Sequence, residues 1–329
     1  MLTQAQARML RTFRETAGRL GLLKGKTLAA VSGGPDSIAL LHLLAEYLPG
    51  GSLAVAHVNH RTRGQASDRD ESLVRQSAKR LALPCLVTRL PRHPKPPSEN
   101  TLRDLRYRAL EKLARRAGAA RIATAHTADD QAETVLLRLA RGTGLAGLAG
   151  IPESRPLGKL LLVRPLLGIP KAELLVYLRR RKARFATDAS NRDLRYARNR
   201  VRRRVLPELK RLNPRTAEAL LRLSAQAATA ADYLKDRARR EGRGLIRRSK
   251  DSVRVDLAKL KRLHPALRPL VWQEALAGRT LDADHLRALE SLAGGTLALP
   301  GGITATVAGR TARISAARKT GASRGSRKG

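Results

Sequence analysis

A glycine-containing loop with the sequence SGGPDS, residues 32–37, constrains the fold more than any other feature of this chain. It follows an apolar run at residues 26–31 and precedes a helical pattern at residues 36–48. A helix that starts after such a loop presents free N–H groups and a positive dipole end, and two adjacent glycines let an anion approach the backbone closely. The segment therefore predicts a phosphate site in a strand–loop–helix unit.

The side chains of this loop indicate which kind of phosphate group it would bind. Ser32 and Ser37 add hydroxyl donors, whereas the carboxylate of Asp36 would repel an anion. An acid in a phosphate site makes sense when a divalent cation lies between the two. We therefore expect the loop to hold a nucleotide phosphate together with Mg²⁺.

Apolar runs and helical patterns alternate over the first half of the chain. After a helix at residues 2–20, the pattern predicts strands at 26–31, 53–58, 86–90, 122–125 and 160–163, with helices at 36–48, 71–81, 101–117 and 128–141. This alternation predicts an α/β fold, a parallel twisted sheet with helices on both faces. Such sheets bind ligands beyond the carboxyl ends of their strands.

Beyond residue 170 the chain becomes helical and basic, with fifteen lysines and arginines against three acids between residues 179 and 215. Asn213 and Pro214 form a helix start, Asn as the cap and Pro at the first position. We expect residues 1–213 to form a nucleotide-binding domain with a basic helical extension. Residues 214–316 would form a smaller, mostly helical domain with short terminal strands, followed by a disordered basic tail at 317–329.

The net charge of +39 narrows the class of partner. Of the 66 basic residues, 51 are arginine, whose planar fork of donors matches phosphate oxygens and favours nucleic acid over a lipid surface. A source genome that favours arginine is the alternative explanation. Aromatic residues are only 2% of the chain, so base stacking is not expected to be the main RNA contact.

Other classes are excluded by what the sequence lacks. A single cysteine, Cys85, rules out intramolecular disulfides and a cysteine-built zinc site. No apolar run approaches the roughly 20 residues that span a bilayer, and the N-terminus has no signal-peptide core. We expect a cytoplasmic protein.

Ionisable residues follow the second and fourth strands. His57 and Arg63 either line the nucleotide site or hold the loop. His126, Asp130 and Glu133 lie at the fourth strand's end, and the two acids, three residues apart, face the same way on the next helix. Acids at a helix N-terminus also simply complement its dipole. Placed beside the loop, however, Asp130 would orient Mg²⁺ with Asp36, and Glu133 would hold a cationic substrate.

Two groups of arginines are candidates for phosphate contact. Arg106 either belongs to a solvated helix face or turns inward to neutralise charge that develops on a phosphate. The later run has too few acids to be paired internally, which favours RNA phosphate as its partner. The arginines of this run predicted to contact nucleic-acid phosphate, together with Arg63, are Arg200, Arg202 and Arg203.

Several segments together resemble the tRNA(Ile)-lysidine synthetase family of PP-loop ATP pyrophosphatases. The resemblance runs from about residue 27 to 214 through SGGPDS, HVNHRTR, LRDLRY, HTADDQAET, RGTGLAGL, RPLL, DASN and RNRVR. It departs from the family in HRTR, where a Leu often precedes the Arg, and in DASN, where Pro often replaces the Ala. Neither departure touches the loop or the acids. The resemblance implies that residues 1–213 are a PP-loop ATP-binding catalytic domain, and for residues 214–316, where it is weak, it implies only a compact tRNA-contacting domain.

This resemblance implies a two-step reaction. O2 of the wobble cytidine in the CAU anticodon of tRNA(Ile) attacks the α-phosphate of ATP and releases pyrophosphate. The ε-amine of free L-lysine then attacks C2 and AMP leaves, which changes codon reading from AUG to AUA.

The resemblance also assigns roles to residues. It implies that Asp36 and Asp130 are Mg²⁺-linked catalytic acids, while His126, Arg106 and Arg198 serve the adenylation step. The expected ATP-binding residues are Ser32, Gly33, Gly34, Pro35, Asp36, Ser37 and His57. Glu133 is the candidate for binding lysine.

Three other functions stay open at this point. A PP-loop tRNA thiolase generally needs paired cysteines or an iron–sulfur cluster, and Cys85 is alone. A non-catalytic basic RNA-binding protein would not need Asp36, His126 and Asp130 intact. A ligase that amidates a small metabolite leaves the charge of +39 unexplained. The oligomeric state and the tRNA elements that are read do not follow from the sequence.

Overall fold

The computed structural model describes residues 3–62, 64–91, 98–187, 195–276, 281 and 283–316. The chain folds into two compact units, Met1–Ala228 and Thr229–Gly329. Arg63, the DASN segment at 188–191 and the tail at 317–329 lie outside the described residues, so the predictions made for them are not considered further. Within the described part of the chain, no helix is both long enough and apolar enough to cross a membrane.

The first unit is built on a six-stranded sheet in the order β3-β2-β1-β4-β6-β5. Every neighbouring pair is parallel except the hairpin of β5 and β6 at one edge. The strands are β1 (Thr27–Ala30), β2 (Leu53–Asn59), β3 (Cys85–Arg89), β4 (Arg121–Ala123), β5 (Ser154–Leu157) and β6 (Leu160–Val163).

Helices cover both faces of this sheet, as predicted. They are α1 (Gln4–Arg19), α2 (Pro35–Tyr47), α3 (Gln65–Arg80), α4 (Glu99–Arg116), α5 (Ala128–Ala140), α6 (Leu145–Leu148), α7 (Lys171–Arg180), α8 (Ala197–Arg200), a π-helical turn (Val201–Val205), α9 (Leu206–Leu212) and α10 (Thr216–Gly242). Phe13 and Leu41 belong to the core on one face, and Leu110 and Ile122 to the core on the other. The predicted fold class is confirmed.

Most predicted elements of this unit are present, and their ends shift by a few residues. The largest shift is at α3, which begins at Gln65 rather than at residue 71. The strand β5 was not predicted, because residues 154–157 contain a proline and only two half-buried positions. It pairs antiparallel with β6, so the sheet carries one antiparallel edge strand.

The second unit has a core of its own around the fully buried Trp272 and Val271. Three helices, α11 (Leu257–Arg262), α12 (Arg268–Ala275) and α13 (Ala283–Ser291), accompany a five-stranded antiparallel sheet in the order β7-β8-β11-β10-β9. Its strands are β7 (Ile246–Arg248), β8 (Ser252–Asp256), β9 (Gly295–Leu299), β10 (Ile303–Ala308) and β11 (Thr311–Ala316). The last three match the predicted terminal strands, whereas β7 and β8 fall in a stretch that we expected to be mostly helical.

The division between the units falls within α10 rather than before it. Ser224 accepts a hydrogen bond from Gln131 on α5, and Leu220 packs beside Ala132, which explains why the start of α10 belongs to the first unit. Asn213 ends α9, and its Oδ1 accepts the N–H of Arg215 just before α10 begins. The domain boundary at 213–214 stays a prediction.

Candidate functional site

The loop between β1 and α2 is organised by the hydroxyl of Ser37. This hydroxyl donates to the carbonyl oxygen of Gly34 at 2.8 Å and accepts from the backbone N–H groups of Ser32 and Gly33, each at 3.2 Å. Pro35 stands at the helix start and has no N–H of its own, while Gly34 caps the helix without a side-chain hydrogen bond. The hydrogen bonds of Ser37 thus fix the loop backbone. No side chain caps the amino end of α2.

Gly33 is required by backbone conformation. Its φ is +97°, in the region that side-chain-bearing residues rarely adopt. Its carbonyl oxygen accepts the N–H of Ala186 at 2.9 Å, so a segment that follows α7 anchors the loop.

A cavity of about 460 Å³ opens beside this loop, at the carboxyl ends of β1, β2 and β4. Its apolar wall comes from Ala56, Val58 and Leu110, which suits a flat aromatic base. Its polar wall brings together predicted residues from distant parts of the chain, namely Ser32, Gly34, Asp36, Ser37, Arg106, His126 and Asp130.

Asp36 is held by a partner that the sequence analysis did not foresee. Lys171, the first residue of α7, donates from Nζ to Oδ2 of Asp36 at 3.0 Å. Burial raises the pKa of this carboxyl, and the Lys171 ammonium group opposes that effect. Two further cavities, of about 340 and 510 Å³, are each lined by Asp36, Lys171 and Arg202, so Asp36 borders all three cavities.

The donor set at Asp36 fits a divalent cation that arrives with a nucleotide. Oδ1 of Asp36 is buried and accepts no hydrogen bond from the described residues. Mg²⁺ commonly takes one or two carboxylates and completes its shell with phosphates and water. Among the described residues no group of three His, Cys, Asp or Glu could hold a metal on its own, which agrees with a cation shared with phosphates.

His126 lines the cavity as a neutral imidazole. Its Nδ1 lies 3.1 Å from the hydroxyl oxygen of Thr124. Burial lowers the pKa of His126 to about 4, an effect that the Asp130 carboxylate only partly opposes. At neutral pH this ring is therefore uncharged and can accept a hydrogen bond without adding positive charge beside the phosphates.

Asp130 and Glu133 form one ion cluster with Arg198 and Arg202. Arg198 bridges the acids, with Nη2 2.7 Å from Oδ1 of Asp130 and Nε 2.7 Å from Oε2 of Glu133. Arg202 binds the same glutamate through Nε at 2.5 Å and Nη2 at 3.1 Å. Although burial alone would raise the pKa of Asp130, Arg198 and the hydrogen bonds from Thr127 lower it overall.

Local packing explains how these arginines reach α5. Arg198 and Arg202 are four residues apart and face the same way where α8 runs into the π-helical turn. Val201, between them, packs with Ala132 of α5. Asp130 itself closes a capping box with Thr127, whose N–H donates to Oδ2 at 2.8 Å.

The structure does not gather all predicted site residues in the cavity. His57 lies behind the loop, where its Nδ1–H donates to the carbonyl oxygen of Val31 at 2.8 Å, so it supports the loop instead of lining the cavity. His60, from the same motif, lines the cavity. Arg200 and Arg203 are exposed, whereas Arg202, predicted to contact tRNA, is half-buried against Glu133.

Glu133, the candidate for binding lysine, already has partners in this structure. Its carboxylate is fully buried, and both oxygens already accept hydrogen bonds from arginines. A lysine ammonium group would have to compete with Arg198 and Arg202 for them.

Tyr107 was quoted in the sequence motif but not given a role. Its ring lines the cavity, with the guanidinium carbons of Arg155, Arg103 and Arg106 at 4.9, 5.6 and 5.9 Å from its centre. Burial opposes ionisation, but these arginines and Arg164 lower the pKa of Tyr107 overall. Arg164 is fully buried. The only sequence signal for its place at the site was that it begins the RPLL segment.

The fold and the loop define a class of protein. The family model described as the PP-loop domain matches residues 1–209, well over half of the chain. The chain belongs to this PP-loop family, and its ATP-binding domain supports the use of ATP.

Within that class, the chain is similar to proteins named tRNA(Ile)-lysidine synthase. It is 44% identical over 227 residues to the one from Methylobacterium nodulans, covering 66% of each chain. It is 41% identical over 209 residues to the one from Symbiobacterium thermophilum, covering 61% of this chain and 43% of that protein. The chain thus spans less than two thirds of the length of these relatives.

A solved structure supports the fold alone. The U34-tRNA thiolase NcsA from Methanococcus maripaludis, solved with its 4Fe-4S cluster, matches with a TM-score of 0.55 at 19% identity. The match covers 67% of this chain and 77% of that one.

Proposed function

We propose that this protein ligates L-lysine to C2 of the wobble cytidine in the CAU anticodon of tRNA(Ile), with ATP as the activating substrate. The observation that carries the proposal is the joining of the PP-loop, Arg106, His126 and Asp130 around one cavity with an apolar wall. Similarity to the named lysidine synthases supports the choice of substrates.

In the first step, O2 of the cytidine attacks the α-phosphorus of ATP, and the bond to the bridging oxygen of pyrophosphate breaks. The loop amides and the Ser32 hydroxyl hold the phosphates, and Arg106 supplies charge where negative charge grows in the transition state. A bound Mg²⁺ ion would neutralise the departing pyrophosphate, with Asp36 and, by resemblance, Asp130 as its carboxylates. Neutral His126 can accept a hydrogen bond beside the α-phosphate without adding a competing charge.

In the second step, the ε-amine of lysine attacks C2 and the C2–O bond to AMP breaks. The attacking amine must first lose a proton, which favours a carboxylate or a neutral imidazole close to it as the proton acceptor. We keep Glu133 as the proposed contact of the lysine ammonium group, reached when Arg198 and Arg202 shift toward incoming phosphate.

The decisive experiment incubates the full chain with ATP, Mg²⁺, radiolabelled lysine and a tRNA(Ile) transcript with a CAU anticodon. We expect label to enter the tRNA, and mass analysis should find lysine minus water added to the wobble cytidine. A transcript with uridine at the wobble position and the Asp36→Asn variant serve as controls and should stay unlabelled. Sulfur incorporation, or tRNA binding without lysine transfer, would reject the proposal.

The Glu133 assignment has its own test. We expect Glu133→Gln to raise KM for lysine about tenfold, the scale of a charge-assisted hydrogen bond, while tRNA-dependent pyrophosphate release survives. Steady-state kinetics with lysine varied measures the first quantity, and a coupled pyrophosphate assay measures the second. An unchanged KM with slower pyrophosphate release would show that Glu133 only places Arg198 and Arg202.

A further inference from the structure

Arg164 differs from every other lysine and arginine that the structure describes, because its side chain is fully buried. It directly follows β6, at the carboxyl end of that strand. Its Nη1 donates to the carbonyl oxygen of Pro152 at 2.6 Å, and its guanidinium group also donates to the phenol oxygen of Tyr107. Its Nε is buried and has no hydrogen-bond partner among the described residues.

The charge of Arg164 is buried without a counter-charge, since no described acid forms an ion pair with it. Burial lowers the pKa of this guanidinium group, but arginine keeps its proton at neutral pH. Water solvates an exposed arginine whether or not an acid lies near, whereas a buried charge is costly unless it has a partner. An unneutralised charge at this depth therefore indicates an anion that arrives from outside the protein.

The strand register places this charge behind the wall of the PP-loop cavity. The backbone N–H of Thr124, the residue after β4, donates to the carbonyl oxygen of Val163, the residue before Arg164, at 2.9 Å. Both Thr124 and Tyr107 line the cavity, whereas Arg164 does not. The guanidinium group thus lies one layer of side chains away from whatever fills the cavity.

Two groups that line the cavity respond to this charge. Arg164 is one of the causes that lower the pKa of His126, after burial, and it also helps to lower the pKa of the Tyr107 phenol. A charge buried in protein is screened much less by salt than an exposed one. Its influence on an anion in the cavity should therefore be as real as its influence on these two side chains.

We propose that Arg164 is a positioning residue whose charge stabilises the α-phosphate of the bound nucleotide through the cavity wall. The apolar wall receives the base and the SGGPDS loop receives the terminal phosphates, so the α-phosphate falls between them, where Tyr107 and His126 line the cavity. A fixed positive charge in a water-poor site stabilises negative charge that grows there during adenylation, with no reorganisation at the moment of reaction.

The inference rests on the proposed function for the reacting phosphate, but its main test needs neither tRNA nor lysine. It compares AMP, which carries only the α-phosphate, with adenosine, which carries none. Isothermal titration calorimetry on the full chain measures both affinities at low and at high salt. Arg164→Met removes the charge, Arg164→Gln removes it but keeps a donor for Tyr107, and Arg164→Lys keeps the charge.

Arg121 supplies the matched control. It begins β4, at the amino end of the strand and so at the opposite edge of the sheet from the cavity. Like Arg164, it donates to a backbone carbonyl, that of Lys24, and has a buried Nε without a hydrogen-bond partner. Arg121→Met removes the same charge and should leave both affinities unchanged.

We expect Arg164→Met and Arg164→Gln to bind AMP about tenfold more weakly, with unchanged affinity for adenosine, because a charge acts on the phosphate and not on the neutral nucleoside. The loss should be the same at low and at high salt, and Arg164→Lys should recover most of it. In the tRNA-dependent pyrophosphate assay, kcat should fall by a similar factor while KM for tRNA stays the same.

An equal loss of affinity for AMP and adenosine in both uncharged variants would overturn the inference, because Arg164 would then only support the wall through Tyr107. Unchanged affinity for AMP, the same loss in Arg121→Met, or a wild-type chain that binds AMP no more tightly than adenosine would overturn it as well. If the variants behave as expected but no lysine enters tRNA, the proposed function fails while this inference stands. If the wild-type chain transfers lysine and the uncharged variants bind AMP normally, only the inference fails.

Discussion

Asp36 combines a buried carboxylate with a single ammonium partner, and the balance between them sets its charge. Burial raises its pKa, and Lys171 is the main opposing influence. We therefore expect Lys171→Met to raise the pKa of Asp36 further and to weaken binding of ATP with Mg²⁺ about tenfold, most strongly toward acid pH. Isothermal titration calorimetry across the neutral pH range measures this, and Lys171→Arg should restore binding.

Lys210 supplies the matched control for this prediction. It lines the cavity next to Asp36 but is exposed and makes no ion pair with that carboxylate. Lys210→Met removes the same charge and should leave the pH dependence of ATP binding unchanged. If both variants bind ATP equally weakly at every pH, Lys171 acts only through its overall charge.

His126 gives a second prediction at this scale, about acid sensitivity. Its folded pKa of about 4 lies below its ordinary value of 6.5, so between these values the unfolded chain binds the extra proton. The stability that neutral His126 contributes is present above pH 6.5 and is lost as pH falls toward 4. His126→Gln should therefore flatten the fall in Tm over this range.

Thermal unfolding at a series of pH values measures that effect. His42 and His57 are shifted in the same direction by burial, so part of the slope should remain in the variant. Replacing the exposed His264 by Gln should leave the curve unaltered. A variant at His126 with the full wild-type slope would show that its imidazole is charged in the folded protein.

The sequence could predict which residues meet at the site, but not which side chains form ion pairs with them. Asp36, His126 and Asp130 follow parallel strands, whose carboxyl ends share one edge, so their meeting follows from strand order alone. The partners Lys171 and Arg198 are 135 and 68 residues away from Asp36 and Asp130, on helices whose packing no local pattern encodes. Arg202 and Glu133 are 69 residues apart, so their pairing could not be predicted from a local pattern either.

At the scale of elements, one carboxylate ties α3 to two strands beside the loop. Glu71 on α3 is almost fully buried and accepts from Asn59 at the end of β2, from Arg89 at the end of β3 and from Arg75 on its own helix. The Arg89 hydrogen bond is the main cause of a pKa near 2 for Glu71. This junction holds the chain next to Asp70, whose atoms come within 4 Å of where a side chain on Gly33 would begin.

We expect Glu71→Gln to lower the free energy of unfolding by about 2 kcal/mol at neutral pH, because the buried Asn59 amide and two arginines lose a charged acceptor that is itself buried. The low pKa means that this stabilisation is complete above pH 4.5 and is lost as pH falls through about 2. Urea unfolding at both ends of that range measures it. Glu208→Gln, which breaks an exposed pair with Arg211, should cost less than about 1 kcal/mol at either pH.

Helices and strands could be predicted where burial requires a regular pattern of apolar residues in the sequence. β1, β2 and α2 are nearly all apolar because the sheet is covered on both sides. β7 and β8 expose one face, and the arginines on that face broke the apolar run that would have marked a strand. β8 pairs with β11, about sixty residues later, and β7 pairs with β8, and these hydrogen bonds override local preference.

For the molecule as a whole, the charge of +39 is spread over arginines in different surroundings. Arg198 and Arg202 are paired with acids inside the site. Arg254, on the exposed face of β8, forms an ion pair with no described acid. Composition alone could not separate the two kinds of arginine, because the distinction depends on which acids the fold brings near.

Because each unit has a hydrophobic core of its own, a final prediction concerns how the two units unfold. Trp272 is the single tryptophan of the chain and is fully buried in the core of the second unit, so its fluorescence reports that unit. The proposed site for ATP with Mg²⁺ lies in the first unit, so the nucleotide at about one hundred times Kd should add about 2.7 kcal/mol to the stability of that unit alone. We expect calorimetry to show one transition raised by about 5–10 °C, while the Trp272 transition keeps its Tm. Buffer with Mg²⁺ but no nucleotide is the control, and a Trp272 transition that rises with the nucleotide would show that the two cores unfold as one.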